Sequence, residues 1–344
     1  MALKLAADVL TLKTKHPFVI ARRGDDDTRV VWVRLSDGDG LEGWGEADPS
    51  SYYGETADTV LAMLRRLEPH LPTDPFDLDA AEATFARLVP KNGAARAALS
   101  AALHDLVGKQ LGQPVWRLWG LDPARAPRSS FTIGLDTPEK MRQKVLEASS
   151  YPILKIKLGT DRDEVILKTV RDATDKPLRV DANAGWTRER ALQMLPLLKE
   201  QGVEFVEQPL PPDDLEGLAA LRRRAILPVV VDESCVVAAD IPRLSGVVDG
   251  INIKLAKCGS LREALRMIAT ARAHGMLVMV GCMIETSLGI TAAAHFTPLV
   301  DAADLDGAAL TANDPFVGAT IDGGQIRLPT GPGLGVQRRS QHGS

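Results

Sequence analysis

Hydrophobic and polar positions follow one rhythm in the first third of the chain and another after it. Early on the pattern is mixed. Arg29-Val-Val-Trp-Val-Arg-Leu35 and Leu41-Glu-Gly-Trp-Gly-Glu46 are apolar runs on either side of Ser36-Asp-Gly-Asp-Gly40. Such a pair predicts a β-hairpin with a loop longer than the tightest type. Apolar residues at helical spacing over 56–71 and 77–88, and an alanine- and leucine-rich run over 93–111, predict three helices. This part reads as an α+β domain.

From Ser129 onward, short apolar runs alternate with helical stretches. The strand-like runs are 129–135, 153–158, 178–182, 203–207, 228–232, 250–255, 277–281 and 301–306, with helices such as 187–201 and 261–274 between them. Eight strands alternating with helices predict a closed parallel barrel. An open doubly wound sheet is the alternative, but no glycine-rich phosphate loop follows its first strand. The glycine- and proline-rich tail after Asp314 is expected to pack back on the first domain.

Composition narrows the class of partner. The 344 residues suit one barrel with an added domain. The net charge of −4, from 41 basic and 45 acidic residues with no block of one sign, speaks against nucleic acid or a membrane surface. Arg222-Arg223-Arg224 is read as the solvated face of a helix. Cys235, Cys258 and Cys282 are widely spaced and odd in number, so no disulfide framework is expected and a reducing cytoplasm is the natural compartment. No signal peptide is visible at the start, and no apolar run reaches bilayer length.

In a parallel barrel the active site lies at the carboxyl ends of the strands. Here those ends read Lys155-Ile-Lys157, Asp181-Ala-Asn183, Glu207-Gln208-Pro209, Asp232-Glu-Ser234, Asn252-Ile-Lys254 and Asp304-Leu-Asp306. Side chains two apart on a strand share a face, which pairs Lys155 with Lys157, Asn252 with Lys254, and Asp304 with Asp306. Lys257 falls off that register and is read as structural, and Glu204 lies on the face opposite Glu207. Asp181, Glu207 and Asp232, on consecutive strands, would repel one another unless a cation sat among them. Magnesium suits a few carboxylate oxygens with positions left for water or substrate. The rival reading is three separate carboxylate–lysine pairs.

Lysines beside such a metal suit removal of a proton next to a carboxylate. The metal offsets the charge of the enediolate, and a positioned lysine takes the proton. A lysine with its ordinary pKa of about 10.4 is a poor base at neutral pH, but a neighbouring cation lowers it. Lys157 and Lys254, on the second and sixth strands, stand across the barrel and could invert one carbon between them.

These motifs resemble the muconate-lactonizing branch of the enolase superfamily, and the resemblance covers nearly the whole chain. His16-Pro-Phe-Val-Ile-Ala-Arg22, Tyr53-Gly-Glu-Thr56 and Asn92-Gly-Ala-Ala-Arg96 are similar to dipeptide epimerases of the L-Ala-D/L-Glu type. The resemblance implies a modified (β/α)7β TIM-like barrel over residues 121–309 and an α+β capping domain over 1–120, completed by the tail 310–344. It also implies Lys157 and Lys254 as opposed bases, Lys155 near the substrate carboxylate, and one magnesium ion on Asp181, Glu207 and Asp232. Asn183 and Asn252 would stand behind those ligands. Asp304 and Asp306 resemble the motif that holds a dipeptide's α-ammonium group. Arg22 suits an acidic substrate side chain by bidentate pairing, although the adjacent Arg23 leaves open which arginine acts. An N-acylamino-acid racemase or o-succinylbenzoate synthase would use the same lysines and metal. A Schiff-base lysine aldolase is a rival from another class, needing no metal. A small-molecule carboxylate is the expected partner, and homo-oligomerisation stays open.

Overall fold

The computed structural model describes residues 3–15 and 28–340, so Arg22 and Arg23 lie outside the described residues. The chain opens with an antiparallel meander of β1 (Lys4–Leu12), β2 (Thr28–Ser36) and β3 (Glu42–Ala47), in register from Lys4↔Ser36 to Leu12↔Thr28 and from Ser36↔Glu42 onward. The turn between β2 and β3 forms because the Asp37 carboxylate accepts the Asp39 and Leu41 N–H groups at 3.0 and 2.9 Å. Three helices follow, α1 (Ala57–Leu67), α2 (Leu78–Leu88) and α3 (Gly93–Gln110). The N-terminus of α1 is closed by Thr56 and Thr59, each side chain bonded to the other's backbone N–H.

Helix α3 is buried along most of its length, and its alanines let it lie directly on β3. A Cβ on Gly43 or Gly45 would stand 2.0 Å from the carbonyl oxygens of Ala102 or Ala98, so glycine at both positions is what permits the approach.

A short α4 (Val115–Leu118) leads into the barrel. In chain order come β4 (Phe131–Ile133), α5 (Pro138–Glu147), β5 (Leu154–Lys157), α6 (Asp163–Arg171), β6 (Leu178–Asp181), α7 (Arg188–Glu200), β7 (Val203–Glu207) and α8 (Leu215–Arg223). Then follow β8 (Val229–Val231), α9 (Ile241–Leu244), β9 (Gly250–Ile253), α10 (Leu255–Cys258), α11 (Leu261–Ala273), β10 (Leu277–Gly281), α12 (Ser287–Ala294) and β11 (Ala302–Asp304). Strands β4 to β11 form one parallel sheet in sequence order. The Ser130 N–H donates to the Ala303 carbonyl at 3.0 Å, which brings the last strand round to the first. Outward-facing residues such as Ile156, Val180, Val206, Ile251 and Val278 join the core under the helices. Phe205, Val230, Met279 and Ala302 form a separate plug inside the barrel.

Several strands are shorter than their apolar runs predict. The run 250–255 ends as a strand at Ile253 because the Lys254 carbonyl accepts from the N–H groups of Lys257 and Cys258, which opens α10. The run 301–306 leaves the ladder after Asp304, and Asp306 starts a helical turn.

The tail carries the short strands β12 (Phe316–Val317), β13 (Thr320–Asp322), β14 (Gln325–Arg327) and β15 (Gln337–Arg338). Phe316 packs edge-on against Trp32 of β2 at 5.2 Å, and the tail also reaches the barrel, where the Gly324 carbonyl accepts the Ser129 N–H. The three cysteines form no disulfide. Among the described residues no helix is long and apolar enough to cross a membrane.

His295 ties the tail to the barrel. Its Nδ1 accepts the Trp116 N–H at 3.1 Å and its Nε2 donates to the Leu334 carbonyl at 3.2 Å, a pair of bonds only the neutral ring can make. Burial, partly opposed by the Leu334 bond, holds the ring down at about 4, against 6.5 in the unfolded chain. As pH falls from 6.5 towards 4 the unfolded state takes up the proton first, so this stabilisation, of about 3 kcal/mol, is present at neutral pH and lost with acid. Urea titrations at pH 7 and pH 4 of the protein and of His295→Gln measure it. The stability gap between the two should narrow by that amount at pH 4, and parallel curves would refute the assignment.

Candidate active site

The ring order places charged residues by geometry alone. Lys157 ends β5, Asp181 ends β6 and Glu207 ends β7, and these three are direct cross-strand neighbours. Asp232 follows β8 and Lys254 follows β9. In an eight-strand ring β5 and β9 are opposite each other, with the three carboxylate-bearing strands filling the arc between. Asp304 ends β11, diametrically across from Glu207. Gly281, at the end of β10, pairs with Asp304. A Cβ there would meet the Asn252 amide at 2.7 Å and Lys254 Cε at 3.1 Å, so glycine clears space for the lysine stem.

All of these charges are buried and paired. Lys157 Nζ donates to Asp181 Oδ2 at 2.7 Å, and Lys254 Nζ to Asp232 Oδ2 at 2.7 Å. Lys155, one layer deeper than Lys157, places Nζ 2.7 Å from Glu207 Oε2, 2.9 Å from Asp304 Oδ2 and 3.4 Å from Asp181 Oδ2. Lys257, on α10, donates to the Asp232, Cys235 and Asn252 carbonyls and to Asp232 Oδ1. These four contacts fix it as a brace for the β8 and β9 ends.

The electrostatics follow from burial and pairing. Burial alone would lower Lys155, but Asp304, Glu207 and Asp181 outweigh it and hold the ammonium well above its ordinary range. Lys254 is likewise raised, with Asp232 overcoming the desolvation. Against the upward push of burial, Lys157 and Lys155 bring Asp181 down to about 2, and Lys254 and Lys257 hold Asp232 low. Glu207 goes the other way, raised by burial and then by Asp181.

Among the described residues no three acidic, histidine or cysteine side chains stand together at metal-ligand spacing. The donor set nonetheless fits a hard divalent cation. Asp181, Glu207 and Asp232 are at most 3% exposed, they repel one another, and all their donors are anionic oxygens. Behind them, Asn183 donates through its backbone N–H and Nδ2 to Asp181, and Asn252 Nδ2 donates to Glu207 Oε1 at 2.7 Å. The Oδ1 atoms of both asparagines are buried without a hydrogen-bond partner.

On the far side, the Asp304 carboxylate accepts from Ser130 Oγ at 2.7 Å and Thr132 Oγ1 at 3.3 Å besides Lys155, and Asp306 Oδ2 accepts the Thr132 N–H at 2.6 Å. Both carboxylates therefore face β4. Burial, then the charge on Asp304, raises Asp306 to about 7. Sequence reasoning missed Ser130 and Thr132, since hydroxyls on a first strand carry no signal of their own. It also gave Gln208 no role. That glutamine is wholly buried between Glu207 and Asp232.

The chain matches known proteins along its length. Residues 5–120 match the mandelate racemase/muconate lactonizing enzyme N-terminal domain, and residues 138–342 the enolase C-terminal domain-like family. The L-Ala-D/L-Glu epimerase of Bacteroides thetaiotaomicron is 45% identical over 95% of this chain and 86% of its own. A dipeptide epimerase of Enterococcus faecalis, solved with Mg and the dipeptide L-Leu-L-Tyr, superposes with a TM-score of 0.92 at 32% identity, covering 98% of this chain and 99% of its own. The L-Ala-D/L-Glu epimerase of Bacillus subtilis, in a substrate-liganded complex, gives a TM-score of 0.92 at 30% identity over 98% of this chain and 99% of its own. With both domains matched in order, the chain belongs to the mandelate racemase/muconate lactonizing enzyme family of the enolase superfamily.

Proposed function

We propose that this protein is a magnesium-dependent dipeptide epimerase that inverts the α-carbon of a dipeptide's C-terminal residue. The observation that carries the reading is the placing of Lys157 and Lys254 at the carboxyl ends of opposite strands of the ring, with three buried carboxylates spanning the arc between them. Two bases facing opposite sides of one carbon can take a proton from one face and return one to the other. The names of the relatives support the reaction, and the Mg in the Enterococcus faecalis complex supports the cofactor.

Asp181, Glu207 and Asp232 would hold the ion, and Asn183 and Asn252 would orient the first two of them. When bound, magnesium supplies positive charge that offsets the developing charge on the substrate carboxylate oxygens. Lys155, between the ligands and Asp304, places a further ammonium where that carboxylate would approach. Lys157 Nζ and Lys254 Nζ carry the proton on either face. Lys257 is held by three carbonyls and has no free reach to a substrate.

Lys157→Ala and Lys254→Ala should each abolish net epimerisation. Each should retain α-proton exchange in deuterium oxide for the one stereoisomer that its surviving lysine faces. The measurement is proton NMR of both stereoisomers with each variant. Near-parental epimerisation by Lys254→Ala would transfer the role to Lys257.

The dipeptide's free ammonium is assigned to Asp304 and Asp306, across the ring from Glu207. Charge-assisted bonds of this kind contribute roughly 1.5–3 kcal/mol each, or about ten- to hundredfold in specificity. The double variant Asp304→Asn with Asp306→Asn should therefore lose much more kcat/KM on a dipeptide than on its N-acetylated analogue. Equal losses on both would make the aspartates structural. A parental preference for the N-acylated compound would overturn the dipeptide assignment.

A further inference from the structure

Gln208 is joined to all three strands that carry the carboxylates. Its backbone N–H donates to the Val230 carbonyl of β8 at 2.8 Å, and its carbonyl accepts the Ala184 N–H beyond β6 at 2.8 Å. The β7–β8 ladder ends at Glu207↔Val230, where Gln208 turns away with φ +35°, a left-handed conformation that glutamine rarely adopts. The turn would leave the Asp232 N–H without a ladder partner. The side chain takes that place. Oε1 accepts from the Asp232 N–H at 3.0 Å, the Ser234 N–H at 3.1 Å and Ser234 Oγ at 3.2 Å. Nε2 is anchored to the Leu210 carbonyl at 2.8 Å and to Ser234 Oγ at 2.9 Å. The residue is wholly buried, so no water can replace either end of the amide.

We propose that Gln208 is the positioning residue of the metal site, fixing Asp232 relative to Glu207 and Asp181 through its side-chain oxygen. This rests on the reading of those three carboxylates as the magnesium ligands. Gln208 is wholly buried and acts through the Asp232 backbone that its side chain holds. Its oxygen substitutes for a backbone acceptor, and the spacing of the acidic groups follows from that substitution.

The acceptor argument separates two variants that a packing role would rank the other way. Gln208→Met keeps the length and the burial but removes the acceptor, whereas Gln208→Glu, kept neutral by burial and by the Leu210 carbonyl it faces, retains both an acceptor for Asp232 and Ser234 and an O–H donor in place of Nε2. Magnesium chloride titrated calorimetrically into metal-free full-length protein reads affinity apart from turnover, with thermal unfolding followed in parallel. Gln208→Met should bind magnesium about ten- to hundredfold more weakly than the parent, the usual cost of losing a group that orients a ligand, while Gln208→Glu stays within about threefold or binds more tightly. Gln208→Asn, which withdraws the amide by one methylene, should lose affinity as Met does, so the result does not depend on one variant folding. Parental affinity in folded Gln208→Met or Gln208→Asn, or a larger loss in Gln208→Glu than in Gln208→Met, overturns the proposal. If the parent takes up no magnesium, or Asp232→Asn binds it as well as the parent, the metal reading itself fails and this inference falls with it.

Discussion

Charge balance in a buried ring is the constraint on which the site depends. Lys155, Lys157, Lys254 and Lys257 meet Asp181, Glu207, Asp232 and Asp304, and every one of them is buried. Removing such groups from water costs several kcal/mol per ion unless each finds a partner with good geometry. The partners are found across strands, so the register of the barrel and the pairing of the charges have to agree. A one-residue slip of β6 would turn Asp181 outward and leave Lys157 facing nothing. The apolar plug of Phe205, Val230, Met279 and Ala302 below the ring and the helix-packed faces outside it keep water from relieving a mismatch.

The same balance bears on the proposed chemistry. Four ammonium groups against four carboxylates leave little net charge, and Asp306 at about 7 adds only part of one more. On the proposed reading, adding a dication to such a set disfavours the ammonium forms, and neutral lysine is the form that accepts a proton. The raised Lys155 and Lys254 describe the ring in its self-paired state, in which the carboxylates are engaged with lysines.

How much of this could be read from residues follows from what period-two patterning encodes. Apolar runs ending in charge located the strand ends, and alternation assigned Lys155 with Lys157 and Asn252 with Lys254 to single faces. The ring order then placed β5 opposite β9, as eight parallel strands require. Carboxylate–lysine pairing was one reading of the strand ends, and the lysines and carboxylates are indeed paired, but which lysine meets which acid was not legible, because Lys155 lies 149 positions from Asp304 and nothing local records their contact. Gln208 was invisible for a different reason. Its role depends on a left-handed backbone at a non-glycine residue and on a side chain standing in for a carbonyl, and no propensity scale encodes either. Strand lengths were overestimated where a polar side chain or a helical turn ends the ladder, as at Lys254. The expected arginine at position 22 falls outside the described residues.

The capping layer is fixed to one flank of this ring. At the N-terminus of α12, Glu46 of β3 accepts the Thr286 N–H at 2.9 Å and also bonds the Thr286 hydroxyl, while Asp314 of the tail accepts the Ser287 N–H at 2.9 Å. Burial, against the Thr286 bond and together with Glu285, raises Glu46 to about 8. At the other contact, the N-terminus of α3 meets α10 so closely that a Cβ on Gly93 would stand 2.4 Å from the Ala256 and Lys257 carbonyls. Glu55 holds that end from the cap side by accepting the Gly93 N–H at 2.8 Å. Helix α10 is the element that carries Lys257, and Lys257 braces the Asp232 backbone and carboxylate. A continuous series of contacts therefore runs from Glu55 through α3 and α10 to Asp232. The residue that meets Gln208 on one side meets the capping domain, through Lys257, on the other.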